Sequence, residues 1–279
     1  MKTGLVLEGG GMRGIYTAGV LDAFLENNIE FDGVIGVSAG AIHGCSFVSR
    51  QKGRSIRYYK KYCKDPRFMS FRSLILTGDF VGADFCYHEL PEKLDIYDYD
   101  TFNKSNTKFY VPCTDLETGK ALYKHMTDMH EEIDYLRASA SLPYFSKPVI
   151  LDGKKYLDGA VADSVPVKAF QEMGYERNVV VLTREDGYVK KPEHAGLSKI
   201  GYRKYPAFVK ALQNRHMNYN ETLKEIKQLE ADGKVLVIRP AEPLNIGRLE
   251  SDPEKIEAIY NIGYHDGLAV ATKVKEFIN

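Results

Sequence analysis

Hydrophobic and polar residues alternate along the N-terminal part of the chain in blocks typical of strands and helices. A short apolar run, Leu5–Glu8, ends at three glycines, and a second run, Gly33–Val37, precedes a helical stretch, Ala39–Val48. Between the two runs, apolar residues recur at helical spacing from Ile15 to Leu25, before Asn27-Asn28 marks a stop. Strand then helix, twice in succession, predicts a parallel sheet covered by helices on both faces.

Two pairs of short runs flank turn residues, and each pair predicts a hairpin. They are Lys108–Pro112 with Lys120–Tyr123 around Glu117-Thr118-Gly119, and Val149–Leu151 with Lys155–Leu157 around Asp152-Gly153. Helices are predicted over Glu131–Ser141 and from Pro166 to about Met173. Continuous apolar runs at Val179–Leu182 and Val235–Ile238 are typical of buried strands.

The C-terminal part is predicted to be helical and charged. Lys199–Asp232 is rich in tyrosine, and either a solvated helical layer or a membrane-facing surface would explain it. The last helix starts at Ser251-Asp252-Pro253-Glu254, a capping-box pattern, and runs to Phe277. Because no repeat or linker interrupts the chain, we predict a single domain over residues 1–279, with the charged helical part at about 199–279.

The stretch Lys64–Thr101 lacks clear periodicity and carries many large apolar residues, among them Phe68, Phe71, Ile75 and Leu76. It is either an insertion of loops and short helices that packs on the core, or a mobile lid at an acyl-chain entrance. The sequence leaves both interpretations open.

Composition indicates a globular protein. Hydrophobic residues make up 44% and charged residues 27%, and 38 basic residues balance 38 acidic ones. A chain without net positive charge lacks the electrostatic field that attracts nucleic acid, so we exclude nucleic acid as a partner. Four scattered cysteines without C-x-x-C pairs predict reduced thiols in a cytoplasmic protein. No apolar run is long enough to span a bilayer, so any membrane contact is expected to be peripheral.

The motif Gly36-Val37-Ser38-Ala39-Gly40 directly follows a predicted strand and opens a predicted helix. This is the strand–turn–helix context of a nucleophile elbow, in which glycines permit a tight, strained turn that exposes a serine hydroxyl. The alternative is an ordinary helix N-cap flanked by packing glycines. We predict Ser38 as a nucleophile.

A second glycine-rich loop, Gly9-Gly10-Gly11-Met12-Arg13-Gly14, also joins a strand to a helix. Its backbone amides could bind a phosphate or a developing oxyanion. A dinucleotide site is disfavoured because the acid at the expected spacing, Asp32, precedes the second strand instead of ending it. A P-loop is excluded because no Lys-Ser/Thr follows the glycines. If the strands predicted at Leu5–Glu8 and Gly33–Val37 are neighbours in the sheet, this loop lies beside Ser38 and can serve as its oxyanion hole.

The base is less obvious, because none of the seven histidines lies in a motif. His43 is one helical turn beyond Ser38 and is expected to point away. The other six are expected to be structural or solvated: His88, His125, His130, His194, His216 and His265. A better candidate is Asp158 in Asp158-Gly159-Ala160, where Gly159 allows a sharp turn after a strand, although Asp-Gly can also be a simple turn.

Taken in this order, the two glycine motifs and Asp158-Gly159-Ala160 resemble the patatin-like phospholipase family. The resemblance covers residues 3–167 well and the remainder loosely. Secondary support comes from Thr114-Asp115-Leu116-Glu117-Thr118-Gly119 and Ala138-Ser139-Ala140-Ser141-Leu142-Pro143. The resemblance implies a three-layer α/β/α fold and a serine hydrolase that acts on fatty-acyl esters of lipids without a metal or other cofactor.

It also implies roles for individual residues. Ser38 would be the nucleophile and Asp158 the proton acceptor, in a dyad without histidine. Amides of the Gly9–Gly14 loop, foremost Gly10 and Gly11, would form the oxyanion hole. Arg13 would either shape this loop through an ion pair or hold a substrate phosphate. The alternatives in function are a carboxylesterase for small soluble esters and a lipid-binding adaptor without activity.

Overall fold

The computed structural model describes residues 1–192, 200–247 and 249–279, so predictions that concern His194 and Lys199 lie outside it. The described strands are β1 Lys2–Leu7, β2 Gly33–Gly36, β3 Lys108–Asp115, β4 Ala121–Met126, β5 Val149–Leu151, β6 Lys154–Asp158, β7 Tyr175–Val181 and β8 Val235–Ile238. The described α-helices are α1 Gly14–Glu26, α2 Ala39–Val48, α3 Arg54–Tyr62, α4 Phe71–Thr77, α5 Tyr99–Lys104, α6 Ile133–Ser139, α7 Val167–Glu172, α8 Pro206–Ala231 and α9 Pro253–Ile278.

The described strands form one mixed sheet in the order β5-β6-β3-β2-β1-β7-β8, with β4 paired to β3. The central strands β3, β2, β1, β7 and β8 run parallel, with Leu5 opposite Val34 on one side and Val179 on the other. Strands β4, β5 and β6 pair antiparallel. The predicted parallel sheet is therefore confirmed, with an antiparallel extension at one end.

Helices cover both faces of the sheet. Within β1, Leu5 and Leu7 belong to the core that contains α1, α2 and α9, whereas Val6 belongs to the core that contains α7 and α8. This alternation follows from the two-residue period of a strand. The predicted three-layer α/β/α architecture is confirmed.

The C-terminal helix α9 packs directly against α1. A Cβ atom added to Gly263 would lie 1.9 Å from the carbonyl oxygen of Tyr16, so only glycine permits this approach. Tyr16 donates a hydrogen bond to Asp266 at 2.8 Å, and burial is the main reason that the pKa of this tyrosine is raised. The C-terminal helix α9 and the N-terminal part with the three motifs therefore share one hydrophobic core.

Several predicted elements have different boundaries. The helix predicted over Lys199–Asp232 is interrupted: residues 200–201 are helical, and after a turn a separate helix begins at Pro206. The helix predicted over Glu131–Ser141 spans Ile133–Ser139. Pro206 lacks the amide hydrogen that a helix interior needs, so it opens a helix more readily than it continues one. At α9, Asp252 is the N-cap in place of Ser251, because its carboxylate accepts the amide hydrogen of Glu254.

Both predicted hairpins are present, and Asp152 and Gly153 have the positive φ angles of a type I′ turn, 49° and 75°. The aperiodic stretch Lys64–Thr101 contains α4 and a π-helix, Phe85–Leu94. Hydrogen bonds from the amides of Phe80 to Phe145 and of Lys147 to Asp79 join it to the loop after α6. The insertion is therefore tied to the core on the side where α6 ends.

Candidate active site

Ser38 lies at the turn between β2 and α2. Its φ of 53° and ψ of −120° are angles that a residue with a side chain rarely adopts. Ser38 occupies the N-cap position of α2, yet its side chain does not cap the helix. The hydroxyl donates instead to the carboxylate of Asp158, so Ser38 is not an ordinary N-cap.

The glycines of the elbow allow close packing. A Cβ atom on Gly36 would lie 2.6 Å from the carbonyl oxygen of Gly40, and one on Gly40 would lie 2.6 Å from that of Leu7. Neither glycine has a positive φ, and the strained residue is Ser38 itself. The glycines therefore permit the tight turn by making room for it, and the strained conformation is that of Ser38.

Asp158 is the last residue of β6, and the strand order of the sheet places it beside Ser38. Strand β4 covers one edge of β3, so β2 and β6 share the other edge, where they run in opposite directions. Their carboxyl ends therefore meet head to head. The Ser38 hydroxyl donates to Oδ2 of Asp158 at 2.8 Å, and Oδ1 accepts the amide of Ala160 at 2.8 Å. Both side chains are buried.

The segment after α6 holds the two residues together. The amide of Ser38 donates to Oγ of Ser139 at 3.0 Å, and the amide of Asp158 donates to the carbonyl oxygen of Ser141 at 2.9 Å. From β3, the Thr114 hydroxyl donates to the carbonyl oxygen of Asp158 at 2.8 Å. Both motifs that gave secondary support to the resemblance therefore contact the site.

The loop Gly9–Gly14 lies against the elbow. A Cβ atom on Gly9 would lie 3.3 Å from that of Ser38, and one on Gly14 would lie 2.6 Å from that of Ala39. Gly11 has a φ of 58°, a conformation that favours glycine. No described residue accepts a hydrogen bond from the amides of Gly10 or Gly11, so both donors remain available beside Ser38. Met12 is buried beneath the loop, and Arg13 is half-buried.

Two clefts meet at Ser38, and Gly11 and Leu142 line both. One cleft is mostly apolar and is lined among others by Ile42, Tyr58, Tyr59, Phe68, Met69, Val81, Tyr87 and Leu90. The other is polar and contains Glu8, Asp158 and several basic side chains. The site can thus accept a molecule with one apolar and one polar part.

None of the histidines that the structure describes lines either cleft. His43 points away from Ser38, as predicted: its ring packs against Tyr59, and its Nδ1 is 2.9 Å from the hydroxyl of Ser55. Burial lowers the pKa of His43 to about 3. This histidine is therefore neutral near neutral pH.

The sequence analysis did not predict one buried group beside the site, the carboxylate of Glu8. Glu8, at the end of β1, accepts hydrogen bonds from the amide and hydroxyl of Thr183 at 2.5 and 3.0 Å and from the hydroxyl of Tyr219 at 2.6 Å. A glutamate that ends an apolar run was a signal, but its partners lie 175 and 211 residues away. The carboxylate joins α8 to the start of the glycine loop.

Comparison with known proteins identifies the family. A model described as patatin-like phospholipase matches residues 5–170, which include all three motifs. The chain belongs to the patatin-like phospholipase family. A second model, a domain of unknown function (DUF6363), matches residues 205–279.

Relatives of this patatin-like chain include bacterial and fungal proteins. YjjU of Escherichia coli is 26% identical over 94% of this chain and 75% of its own length. Lysophospholipase nte1 of Aspergillus terreus is 26% identical over 98% of this chain, which spans only 18% of that protein. The crystal structure of VipD from Legionella pneumophila aligns with a TM-score of 0.47 at 12% identity, over 98% of this chain and 67% of VipD. Membership of this family supports lipid acyl hydrolase activity.

Proposed function

We propose that the protein hydrolyses fatty-acyl esters of lipids, with Ser38 as the nucleophile and Asp158 as the proton acceptor. The observation that carries this proposal is the hydrogen bond of 2.8 Å from the Ser38 hydroxyl to Oδ2 of Asp158. A nucleophile and a base within hydrogen-bond reach, with the base oriented by a third group, is the arrangement that nucleophilic catalysis requires. Here the amide of Ala160 orients the base.

The reaction is a double displacement. As Ser38 Oγ attacks the acyl carbonyl carbon, its proton passes to Asp158, and the carbonyl oxygen gains negative charge. Collapse of this intermediate breaks the ester bond, Asp158 returns the proton to the leaving alcohol, and an acyl-serine remains. A water molecule then gives a proton to Asp158 and attacks the acyl carbon. Collapse of the second intermediate breaks the bond between that carbon and Ser38 Oγ, Asp158 returns the proton to Oγ, and the fatty acid is released.

The amides of Gly10 and Gly11 stabilise the oxyanion. An aspartate is a weak base, with an ordinary pKa of about 3.9, so proton transfer from serine is favourable only when the charge on the carbonyl oxygen is held at the same time. The contact of Gly9 with Ser38 and the available amides of Gly10 and Gly11 support this role. Each such donor is typically worth about 2.7–4 kcal/mol of the barrier.

The mostly apolar cleft accepts the acyl chain. The residues at its mouth and walls are aliphatic and aromatic, and Ser38 lies on its surface. This lining favours a long-chain ester over a small soluble ester.

A short apolar surface supports contact with a membrane. Phe71, Ile75 and Leu76 on α4 are 64%, 83% and 71% exposed, which is unusual for side chains of this size. Phe68 and Met69, which precede α4, line the apolar cleft. We propose that α4 enters the lipid surface beside the entrance of the cleft, as part of a cytoplasmic protein that binds membranes peripherally. No described helix is long and apolar enough to cross a bilayer.

The test compares wild type with Ser38→Ala and Asp158→Asn on a long-chain lysophospholipid and on a short nitrophenyl ester. Both variants should lose at least about 1,000-fold in kcat/KM on either ester while their circular dichroism stays unchanged. A fluorophosphonate probe should label wild type at Ser38. Full activity of Asp158→Asn would refute the dyad, and failure of the probe to label Ser38 would refute the hydrolase.

A further inference from the structure

The start of the glycine loop beside Ser38 has little support of its own. Gly9 and Gly10 lie outside the helices and strands. The amide of Gly9 donates to the carbonyl oxygen of Ser164 at 3.4 Å, and the amide of Arg13 donates to that of Gly10 at 3.3 Å, both long hydrogen bonds. An oxyanion hole works only if its donors are in place before the charge develops. The position of these donors therefore depends on the groups that pack on the loop.

Thr183, two residues beyond the end of β7, packs directly on the backbone of Gly10. A Cβ atom added to Gly10 would lie 2.8 Å from Oγ1 of Thr183 and 3.3 Å from its Cβ, and its three nearest neighbours all belong to this threonine. Thr183 is fully buried. Because closely packed groups transmit displacements to one another, a shift of Thr183 would move Gly10.

The buried carboxylate of Glu8 fixes Thr183 through both of its donors. Oε2 of Glu8 accepts the amide and the hydroxyl of Thr183 at 2.5 and 3.0 Å, and Oε1 accepts the hydroxyl of Tyr219 at 2.6 Å. Hydrogen bonds to a carboxylate are stronger than those between neutral groups. Burial and the neighbouring Glu8 carboxylate raise the pKa of Tyr219, so its hydroxyl keeps its proton and remains a donor.

Tyr219 connects the C-terminal region to these contacts. It is a buried residue of α8, and its ring packs edge-on against Tyr188 with the ring centres 6.1 Å apart. Helix α8 lies within residues 205–279, which the model of a domain of unknown function matches. A continuous series of contacts therefore runs from this region through Glu8 to Gly10.

We propose that Tyr219, Glu8 and Thr183 are positioning residues for the oxyanion-hole amides, so that α8 holds the glycine loop in its active conformation. The inference rests on the proposed hydrolase function and adds a role for the C-terminal region. Without the Tyr219 hydroxyl, Glu8 loses the partner of Oε1. The Glu8 side chain borders the polar cleft and can then turn toward water there, which frees Thr183 and lets Gly10 move.

The experiment removes single hydroxyl groups and keeps the shape of each side chain. Tyr219→Phe and Thr183→Val should each lower kcat on a short nitrophenyl ester roughly tenfold, because a small displacement of a donor lowers the rate steeply. KM should stay within about twofold of wild type, since the loss falls on the transition state. The rate at which a fluorophosphonate labels Ser38 should fall in parallel, because its phosphoryl oxygen occupies the oxyanion position. The double variant should lose less than the product of the two single losses, because both act through Glu8.

Tyr260→Phe is the matched control. Tyr260 also comes from the C-terminal region, in α9, and its hydroxyl donates to the buried carboxylate of Asp22 at 2.8 Å. Neither residue lines either cleft. This variant should lower the midpoint of urea unfolding, as Tyr219→Phe does, and leave kcat and the labelling rate unchanged.

Three outcomes would overturn the inference. The first is a kcat in Tyr219→Phe and Thr183→Val equal to that of Tyr260→Phe. The second is a rise in KM at unchanged kcat, which would assign these side chains to substrate binding. The third is a pair of losses that multiply in the double variant, which would show that the two residues act independently of Glu8. Failure of the hydrolase function would look different, because wild type itself would neither turn over the ester nor be labelled.

Discussion

The hydroxyl oxygen of Ser139 accepts the amide hydrogen of Ser38 at 3.0 Å, although 101 residues separate them in the chain. Both groups are buried, and Ser38 has a strained backbone. This bond fixes the elbow to the segment at the end of α6. The same segment binds the amide of Asp158 through the carbonyl oxygen of Ser141. Ser139 therefore positions Ser38, and Ser141 positions Asp158, in the proposed dyad.

Ser139→Ala should leave the amide of Ser38 buried without an acceptor. We expect a loss of about 1–3 kcal/mol in the free energy of unfolding and a fall in kcat of roughly tenfold, since misplaced reacting groups lower the rate steeply. Urea unfolding and ester kinetics measure the two effects. Ser49→Ala, at another buried serine outside both clefts, should lower stability without changing kcat. Equal kcat values in all three proteins would show that Ser139 has no positioning role.

Gly36→Ala should destabilise the protein. The added methyl group would lie 2.6 Å from the carbonyl oxygen of Gly40 and 2.7 Å from the amide of Ala41, and both are backbone atoms that cannot turn aside. We expect a loss of about 1–3 kcal/mol or more on thermal or urea unfolding. A Cβ atom on Gly247 would meet nothing within 4 Å, so Gly247→Ala is the matched control and should be close to neutral. Similar stabilities for the two variants would contradict the close packing at the elbow.

The exposed apolar side chains of α4 should bind lipid. Replacing Ile75 and Leu76 by serine should lower the affinity for phospholipid vesicles about tenfold or more, because each buried aliphatic side chain contributes about 1.5–3 kcal/mol. Cosedimentation with vesicles measures this. Hydrolysis of a short soluble ester should change little. The control is Ile262→Ser, at an exposed position on α9. Unchanged vesicle affinity in the double variant would exclude α4 as the contact surface.

His43 should make the protein sensitive to acid. Burial lowers its pKa from 6.5 to about 3. Below pH 6.5 the unfolded chain takes up a proton at this histidine and the folded chain does not. Stability should therefore fall as the pH drops from 6.5 toward 3, by at most about 1.4 kcal/mol per unit, and should show no contribution from His43 above pH 7.

The measurement compares urea unfolding of wild type and His43→Gln at pH 7 and pH 5. The variant should lose less stability than wild type over this interval, whatever its stability at pH 7. The same loss in both proteins would mean that His43 takes up its proton equally in the folded state.

The local pattern of the sequence determined much of the fold. Apolar runs and helical spacing located β1, α1, β2 and α2 to within a few residues, because a strand or helix buried against a core must show its own period. The type I′ turn at Asp152-Gly153 was equally predictable, since few residues tolerate two positive φ angles in succession. The three motifs were enough to indicate the family.

The tertiary structure determined which residues those motifs contact. No local signal states that β2 and β6 share one edge of β3, yet this pairing brings Asp158 to Ser38. Arg184, Lys190 and Arg215 of the polar cleft and the partners of Glu8 come from segments beyond the three motifs in the chain. That residues 1–279 form a single domain stays a prediction, supported by the packing of α9 on α1. Sequence patterns report the burial and turn preferences of neighbouring residues, whereas contacts between distant segments depend on how the whole sheet is assembled.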